Sequence, residues 1–461
     1  MTPSSGLAFG QAGLFHQGRG ELLHSAKVFP HRKYPEKMEN VRQPVPSPSE
    51  STAAEQTSPA GQPQFVPSVL SLPGVVSATS GGPGVGPAEP TAGQDRLQKL
   101  YLEITTDCNM DCPMCVRRQW PDAGKQMTTE TFELALVQAH QMPGLQTVHF
   151  GGFGEPMVHP EFPAWLEKAA QAGFRLELIT NGLLLDDRLA ELLVQAPVDR
   201  LFVSVDSARP MKNALTHADV FEAVRRNLRR LYAMKLVHRS AKPEVYALFV
   251  ASRSNLAELW ELKRLAPYLG LQGILVSNLV PYTPELEEEI LYRHWSTAPA
   301  GLPPSSWNPL VDLPRMDPSP EIVELIMRLR AHGTPLRIAG SERYDGLMRC
   351  PFVVEGRAAV GPTGDVSPCL ALLHSYRYWF RGQQRQIHRH TFGNIHQHTL
   401  EEIWQSEAYR AFRQRVRSFT FPPCIDCGGC DLRQSNQLDC LGNPAPTCGA
   451  CLWAAGLVQC P

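Results

Sequence analysis

The sequence predicts an α/β protein. Six strand–helix units form a partial (β/α)6 TIM-like barrel, and a small cysteine-rich domain follows. Three observations predict this. From Leu97 onward, short β-favouring apolar runs alternate with amphipathic helical stretches, which implies parallel strands joined by right-handed crossovers. Seven of the 12 cysteines crowd between Cys424 and Cys460, where little hydrophobic periodicity exists to build a core. The 461 residues exceed what one domain needs.

The elements follow in order. Residues 1–95 are read as a disordered, low-complexity extension. The run Val45–Gln94 is rich in Pro, Ser, Gly, Thr and Ala, and cannot bury enough apolar surface to offset its ordering entropy. A dispensable tail is the better reading, a recruitment segment the alternative. Strands are expected at Lys99–Thr105, Thr147–Gly151, Arg175–Thr180, Leu201–Val205, Glu244–Val250 and Gly273–Ser277. Helices are expected at Thr129–Gln141, Pro160–Ala172, Asp187–Gln195, Val220–Met234 and Leu256–Leu269. The proline-rich stretch 281–318 is expected to bridge two domains, so the barrel is assigned residues 96–340 and the cysteine-rich domain 341–461. Within the latter, one helix is expected over Thr399–Val416, and the stretch Trp379–His390, with Arg381, Arg385 and Arg389, reads as a solvated insertion. No internal repeat is visible.

Charge is balanced, with 44 Lys+Arg against 45 Asp+Glu, so no global field steers the chain to nucleic acid or membrane. No apolar run approaches the roughly 20 residues of a membrane helix, and no export signal is seen. A cytoplasmic location is expected. Reduced, clustered thiols there read as metal ligands rather than disulfides.

The sharpest motif is Leu102–Cys115, in which Cys108, Cys112 and Cys115 are spaced Cys-x3-Cys-x2-Cys. Three such thiolates can hold three corners of a [4Fe–4S] cluster and leave the fourth iron open to a chelating small molecule. A structural zinc site is the alternative, but it needs a fourth ligand, and the nearest other cysteine is Cys350. Three further motifs close the next strands. Gly151, Gly152, Gly154 and Glu155 lie in His149–Pro156. Thr180-Asn181-Gly182 and Ser204-Val205-Asp206 follow. Alone, the first fits a glycine-rich turn and the others fit helix caps, and for Thr180 and Asp206 the cap reading is equally good. All four motifs fall at the carboxyl ends of consecutive strands, where barrel enzymes assemble their sites.

The cysteine spacing, Met114 before the last cysteine and the position after a first strand resemble the radical S-adenosylmethionine (radical SAM) enzymes. The resemblance implies that S-adenosylmethionine chelates the open iron. One electron then cleaves a carbon–sulfur bond to give a 5′-deoxyadenosyl radical. The Gly151–Pro156 segment resembles the family's Gly-Gly-Glu-Pro element, which binds the methionine amino group, here with Phe153-Gly154 inserted. Asn181, Thr180, Ser204 and Asp206 are implied near the adenosine, with Ser204 or Asp206 near the ribose. No catalytic acid or base is assigned. An electron donor such as ferredoxin or flavodoxin is implied.

Downstream, Cys350-x13-Gly364-x4-Cys369, then Gly393-Asn394-Ile395 and Ile403-Trp404, resemble the SPASM domain of radical enzymes that modify peptides and proteins. The remaining cysteines are Cys424, Cys427, Cys430, Cys440, Cys448, Cys451 and Cys460. Two auxiliary [4Fe–4S] clusters are implied. Beyond the loop, nine cysteines remain, one more than two four-cysteine clusters use, and the spacing does not assign them cluster by cluster. Zinc knuckles are the alternative. Asp439–Asn443, Pro446–Ala454, Gln459–Pro461 and Val276–Thr283 resemble the subfamily that matures tungsten-containing aldehyde oxidoreductases. The expected function is therefore radical modification of a protein, peptide or cofactor, in maturation of a tungsten- or molybdenum-pterin oxidoreductase. A ribosomal-peptide maturase is the first rival, and a non-catalytic iron–sulfur carrier or scaffold the second.

Overall fold

The computed structural model describes residues 95–120, 124–208, 219–294, 315–331, 333–340, 348–428 and 430–460. The expected extension, apart from Asp95, lies outside the described residues, as does much of the 281–318 bridge.

All six expected units form. Strands β1 (Lys99–Leu102), β2 (Thr147–Phe150), β3 (Arg175–Thr180), β4 (Arg200–Ser204), β5 (Glu244–Ala251) and β6 (Gly273–Asn278) pair in sequence order, each parallel to the next. Crossover helices are α1 (Thr129–Gln141), α2 (Phe162–Gln171), α3 (Asp187–Gln195), α4 (Val220–Val237) and α5 (Glu258–Leu265). The helices start where a side-chain oxygen satisfies a free N–H. Thr128, Asp186 and Asp219 accept from the backbone N–H of Thr131, Leu189 and Glu222. Each helix buries one stripe. In α4 it is Val220, Val224, Leu228 and Leu231, spaced three or four residues apart. Strands covered on both faces read as continuous apolar runs, and β1 is buried at all four positions. The stretch expected as a helix to Leu269 tightens into a 3-10 turn at Ala266–Leu269, because Pro267 has no N–H to continue the α ladder.

The sheet does not stop at the sixth strand. After α6 (Pro320–Ala331), β7 (Leu336–Ile338) pairs parallel with β6. At the opposite edge β8 (Arg357–Val360) pairs parallel with β1 in the register Leu102↔Val360. Then β9 (Asp365–Ser367) joins β8 and β12 (Gly393–Asn394) joins β9, both antiparallel. One ten-stranded sheet therefore runs across the boundary expected near residue 340.

Two expectations in the C-terminal region are corrected. Thr399–Val416 is not one helix but two, α7 (Leu400–Gln405) and α8 (Glu407–Ser418). Ser406 separates them because its hydroxyl caps α8. The stretch Trp379–His390 is not a solvated insertion. It belongs to a hairpin of β10 (Tyr376–Phe380) and β11 (Gln383–Ile387), whose apolar residues are buried in one cluster with Tyr282, Tyr292 and Leu452. Arg385 is 2% exposed, and its guanidinium donates to the Tyr378 hydroxyl and to the carbonyls of Cys424 and Ile425. Arg389 pairs with Asp365, and Arg381 with Asp426.

At the start of the described chain, Asp95 is clamped to α8. Its carboxylate accepts from Arg413 Nε (2.8 Å) and Nη2 (2.9 Å) and from Arg417 Nη2 (2.7 Å). Its carbonyl accepts from the Trp404 indole (2.9 Å). Arg413 lies face-on to Trp404, 3.9 Å from the ring centre.

Candidate active site

The loop after β1 carries Cys108, Cys112 and Cys115, all half-buried. Its shape is set locally. The Thr106 hydroxyl accepts from the N–H groups of Gly124 and Lys125, and the Cys115 N–H donates to the Cys112 carbonyl. Arg117 reaches back across the loop to the carbonyls of Met110 (2.8 Å) and Thr106 (3.3 Å), and its guanidinium lies in the field of all three thiols. Burial pushes the Cys112 thiol up to about 12, aided by Asp206 and then by Cys115 and Cys108. Burial likewise raises Cys108. Two thiols that resist ionisation alone, with a third beside them and one cation in reach, suit a site in which bound metal replaces the protons. Among the described residues no three Cys, His, Asp or Glu gather tightly enough for a single metal ion. A four-iron cube spreads its ligands over separate corners.

The next two motifs are bound to this loop and to each other through Glu155, which is 2% exposed. Its carboxylate accepts from the Thr180 hydroxyl (2.8 Å), the Asn181 N–H (2.6 Å) and the Met157 N–H (3.1 Å), and its own N–H donates to the Asp107 carbonyl. Burial nevertheless pushes the carboxyl up to about 7. Asn181 extends the link, donating to Asn109 Oδ1 (2.7 Å) and lying 3.6 Å from Cys108 Sγ. Glu155 and Thr180 thus spend their polar atoms on holding β2, β3 and the thiol loop together.

The inserted pair Phe153-Gly154 has its own partners. The Phe153 N–H donates to Glu103 Oε1 (2.8 Å), and the other oxygen of this buried carboxylate is paired with His374. Trp120 stacks on the His374 ring (4.1 Å) and meets Phe153 edge-on (5.5 Å). The insertion therefore joins the second strand to the C-terminal region. Gly154 is required by contact, since a Cβ there would overlap the Thr105 carbonyl and lie 2.8 Å from that of Asp107.

Inside the strands is a cavity of about 250 Å³. Met114, Gly152 and Ser204 line it, with His149, residues of β5 and β6, and the C-terminal residues Trp453, Val458, Gln459 and Cys460. Gln459 is fixed by β6 and β7, its amide donating to the Val276 and Arg337 carbonyls. His149 contacts Glu177 through Nδ1 (3.2 Å), and Glu177 also pairs with Lys99. Burial, then the Lys99 charge, push His149 down to about 3, so its ring is neutral. Asp206 stands by β5, accepting from the Val250 N–H (2.8 Å), and burial pushes its carboxyl up to about 6.

The C-terminal thiols separate into groups. Cys350, Cys369, Cys448 and Cys451 line one cavity of about 50 Å³. Burial raises Cys369 and Cys448 well above the thiol range, and neighbouring thiols of the same group add to it. Cys424 is raised to about 11 by burial, then by Asp439 and Cys440, with Cys427 also near. Cys427, Cys430 and Cys440 are exposed. Cys460 lines the barrel cavity, its sulfur 3.1 Å from the Trp453 indole nitrogen.

Of the residues singled out in the sequence, Met114, Gly152 and Ser204 therefore meet in the barrel cavity. Asn181 touches the thiol loop, and Glu155, Thr180 and Asp206 make backbone or clamp contacts. Gly151 packs against Ile179, and Gly154 against the loop. The sequence reading missed Glu103, Arg117, Asn278 and His374. A charged residue inside an apolar strand run marks Glu103, and an arginine two residues past the last thiol marks Arg117. His374 carries no local signal, because its partner is distant in the chain, and Asn278 is marked only as part of Val276–Thr283, with no role of its own.

Comparison with known proteins identifies the family. The sequence model of the Radical SAM superfamily matches residues 102–265, and that of the iron–sulfur cluster-binding SPASM domain matches residues 350–431. The tungsten-containing aldehyde ferredoxin oxidoreductase cofactor-modifying protein of Pyrococcus furiosus is 31% identical over 369 residues, 79% of this chain and 97% of that protein. A PqqA peptide cyclase of Streptomyces rochei is 26% identical over 371 residues, 76% of this chain and 88% of that protein. Among solved structures, Streptococcus suis SuiB bound to S-adenosylmethionine is 14% identical with a TM-score of 0.47, over 72% of this chain and 71% of that one. The chain is a radical SAM enzyme that carries a C-terminal SPASM iron–sulfur domain.

Proposed function

We propose that this enzyme binds S-adenosylmethionine in the barrel cavity, and that its radical chemistry matures a tungsten- or molybdenum-pterin oxidoreductase by modifying its cofactor or protein. The observation that carries the site is the meeting of Met114, Gly152 and Ser204 in one cavity beside the thiol loop. The setting is supported by the near-complete span of the cofactor-modifying relative.

Cys108, Cys112 and Cys115 hold the cluster. A [4Fe–4S] cluster held there would supply one electron for reductive cleavage of S-adenosylmethionine. Arg117 offsets the negative charge of the thiolates. Asn181 orients the loop through Asn109, while Glu155 keeps the two strand ends in register. Gly152 lets the backbone approach the methionine end of the ligand, Met114 and Ser204 face its adenosine, and Gly151, Gly154 and Asp206 support the surrounding strand ends.

Two auxiliary [4Fe–4S] clusters fit the thiol groups. Cys350, Cys369, Cys448 and Cys451 form one set, and Cys424, Cys427, Cys430 and Cys440 the other. The electron donor is a low-potential carrier such as ferredoxin or flavodoxin, and the enzyme works in the cytoplasm. Residues 96–340 form the catalytic domain and 341–461 the auxiliary-cluster domain, although β8 ties them into one sheet.

The decisive experiment replaces Cys108, Cys112 and Cys115 together by Ala. 5′-Deoxyadenosine formation under dithionite disappears, and iron falls from about twelve to about eight per chain. Wild-type rates in that variant would overturn the site. Incubation with an immature tungsten oxidoreductase then tests the setting. Turnover of a small ribosomal peptide in its place would favour the reading suggested by the peptide cyclase relatives.

A further inference from the structure

The chain has twelve cysteines, and the three groups described above use eleven. Cys460 is the remainder. It packs against the same apolar cluster as Cys350 and Cys369, yet it does not line the small cavity that those two share with Cys448 and Cys451; it lines the barrel cavity instead, with Met114, Gly152 and Ser204. Its sulfur is fixed by the Trp453 indole N–H at 3.1 Å, and the preceding Gln459 is bound to β6 and β7, so the thiol is positioned by the sheet itself.

A second feature of the same wall points to a ligand. Asn278, at the end of β6, is 1% exposed and lines the cavity. Its amide nitrogen donates to the carbonyls of Arg315 and Leu457, but its Oδ1 has no hydrogen-bond partner among the described residues. A buried carbonyl left unpaired has given up its hydrogen bond to water without replacing it, which is unfavourable. Native structures rarely keep such an atom without a function. Oδ1 is an acceptor waiting for a donor that enters the cavity, such as an amine or hydroxyl of the cofactor or substrate.

We propose that Cys460 is a free thiol of the reaction chamber, not a cluster ligand, and that it donates a hydrogen atom to radicals formed there. This rests on the reading that S-adenosylmethionine occupies the same cavity. In the step, the S–H bond of Cys460 breaks homolytically and a C–H bond forms on the carbon radical. The sulfur is left as a thiyl, which one electron from a low-potential donor returns to thiolate and one solvent proton to thiol. A weak S–H bond facing the chamber thus quenches a radical without damage to the surrounding backbone.

Two measurements test this on the fully reconstituted enzyme. The first treats the protein with the small reagent methyl methanethiosulfonate and maps the modified cysteine by mass spectrometry. Cys460 is labelled, the other eleven are protected by iron, and S-adenosylmethionine slows its labelling at least fivefold. Labelling of Cys430 instead, with Cys460 silent, would overturn the assignment. The second runs cleavage of S-adenosylmethionine in D2O under dithionite without substrate. The exchangeable S–D of Cys460 then yields 5′-deoxyadenosine carrying one deuterium. Cys460→Ala keeps its iron content and still forms 5′-deoxyadenosine, but the deuterated fraction falls at least fivefold. Cys460→Ser follows the Ala variant, because its O–H bond is too strong to donate. An undiminished deuterated fraction in Cys460→Ala, or loss of about four irons from it, would refute the proposal. Absence of 5′-deoxyadenosine from the wild type itself would instead sink the cofactor-site reading, and the labelling map would still decide whether Cys460 is a ligand.

Discussion

Asp95→Ala removes one carboxylate at the edge of the described chain, and its effect follows from the clamp on α8. Arg413 is 1% exposed and cannot turn to water. Without Asp95 it loses two of its hydrogen bonds and its counter-charge, and keeps the Trp404 carbonyl at 2.8 Å and the face of the indole. Breaking a buried pair from one side costs about 3–5 kcal/mol. The Asp95 side chain is 32% exposed, so water reaches that end and lowers the expected cost to about 2–3 kcal/mol. At roughly 1.3 °C per kcal/mol for a folded unit of this length, the melting midpoint falls by roughly 3–4 °C. The assay is differential scanning fluorimetry on anaerobically reconstituted protein, with Asp95→Asn recovering part of the loss. Deletion of residues 1–90, which spares the clamp, leaves the midpoint, the iron content and S-adenosylmethionine cleavage unchanged. An unmoved midpoint in Asp95→Ala, or a loss in the deletion as large as in the point variant, would refute the reasoning.

Two further outcomes are expected. Gly154→Ala forces a methyl group against the Thr105 carbonyl, where backbone cannot yield cheaply. It should cost about 1–3 kcal/mol and be seen as loss of iron from the thiol loop and of 5′-deoxyadenosine formation, and an Ala variant with wild-type iron and rate would contradict the contact. Glu155 has a folded pKa of about 7, above its unfolded value of about 4.5, so its carboxyl contributes stability that is full at low pH and is lost as pH rises through 7. Between pH 6 and pH 8.5 that loss is on the order of 1 kcal/mol, and Glu155→Gln should remove it, which urea midpoints measured across that window will detect. Parallel slopes in the two proteins would show that the group does not titrate there.

The barrel was legible because its strands and helices announce themselves locally. Thr129–Gln141 begins after a capping threonine, and Asp187–Gln195 after a capping aspartate, and both helices keep their expected ends. The thiol loop was legible for the same reason, since its three sulfurs sit within eight consecutive residues. What the sequence hides is what is decided across the chain. Strand β8 is four residues, Arg-Ala-Ala-Val, with no strong β signal of its own, and it is a strand because β1 offers it an edge. The hairpin around Arg385 reads as polar, because the carbonyls that satisfy its guanidinium belong to residues 424 and 425. The partition of the C-terminal thiols was hidden likewise, because Cys350 and Cys448 meet only after a hundred residues of chain have folded back.

The parallel pairing of β8 with β1 also bears on how the protein is made. On the ribosome β1 acquires β2 early, but its other edge waits for a strand synthesised roughly 260 residues later, a delay on the order of 13–50 s at cellular elongation rates. For that time the four buried positions of β1 present an open hydrogen-bonding edge, the feature by which nascent chains find each other. Overproduction should therefore give aggregates during translation rather than after release. Slower synthesis will lengthen the exposure instead of relieving it, and a holdase that covers nascent strand edges will raise the soluble yield more than a lower growth temperature.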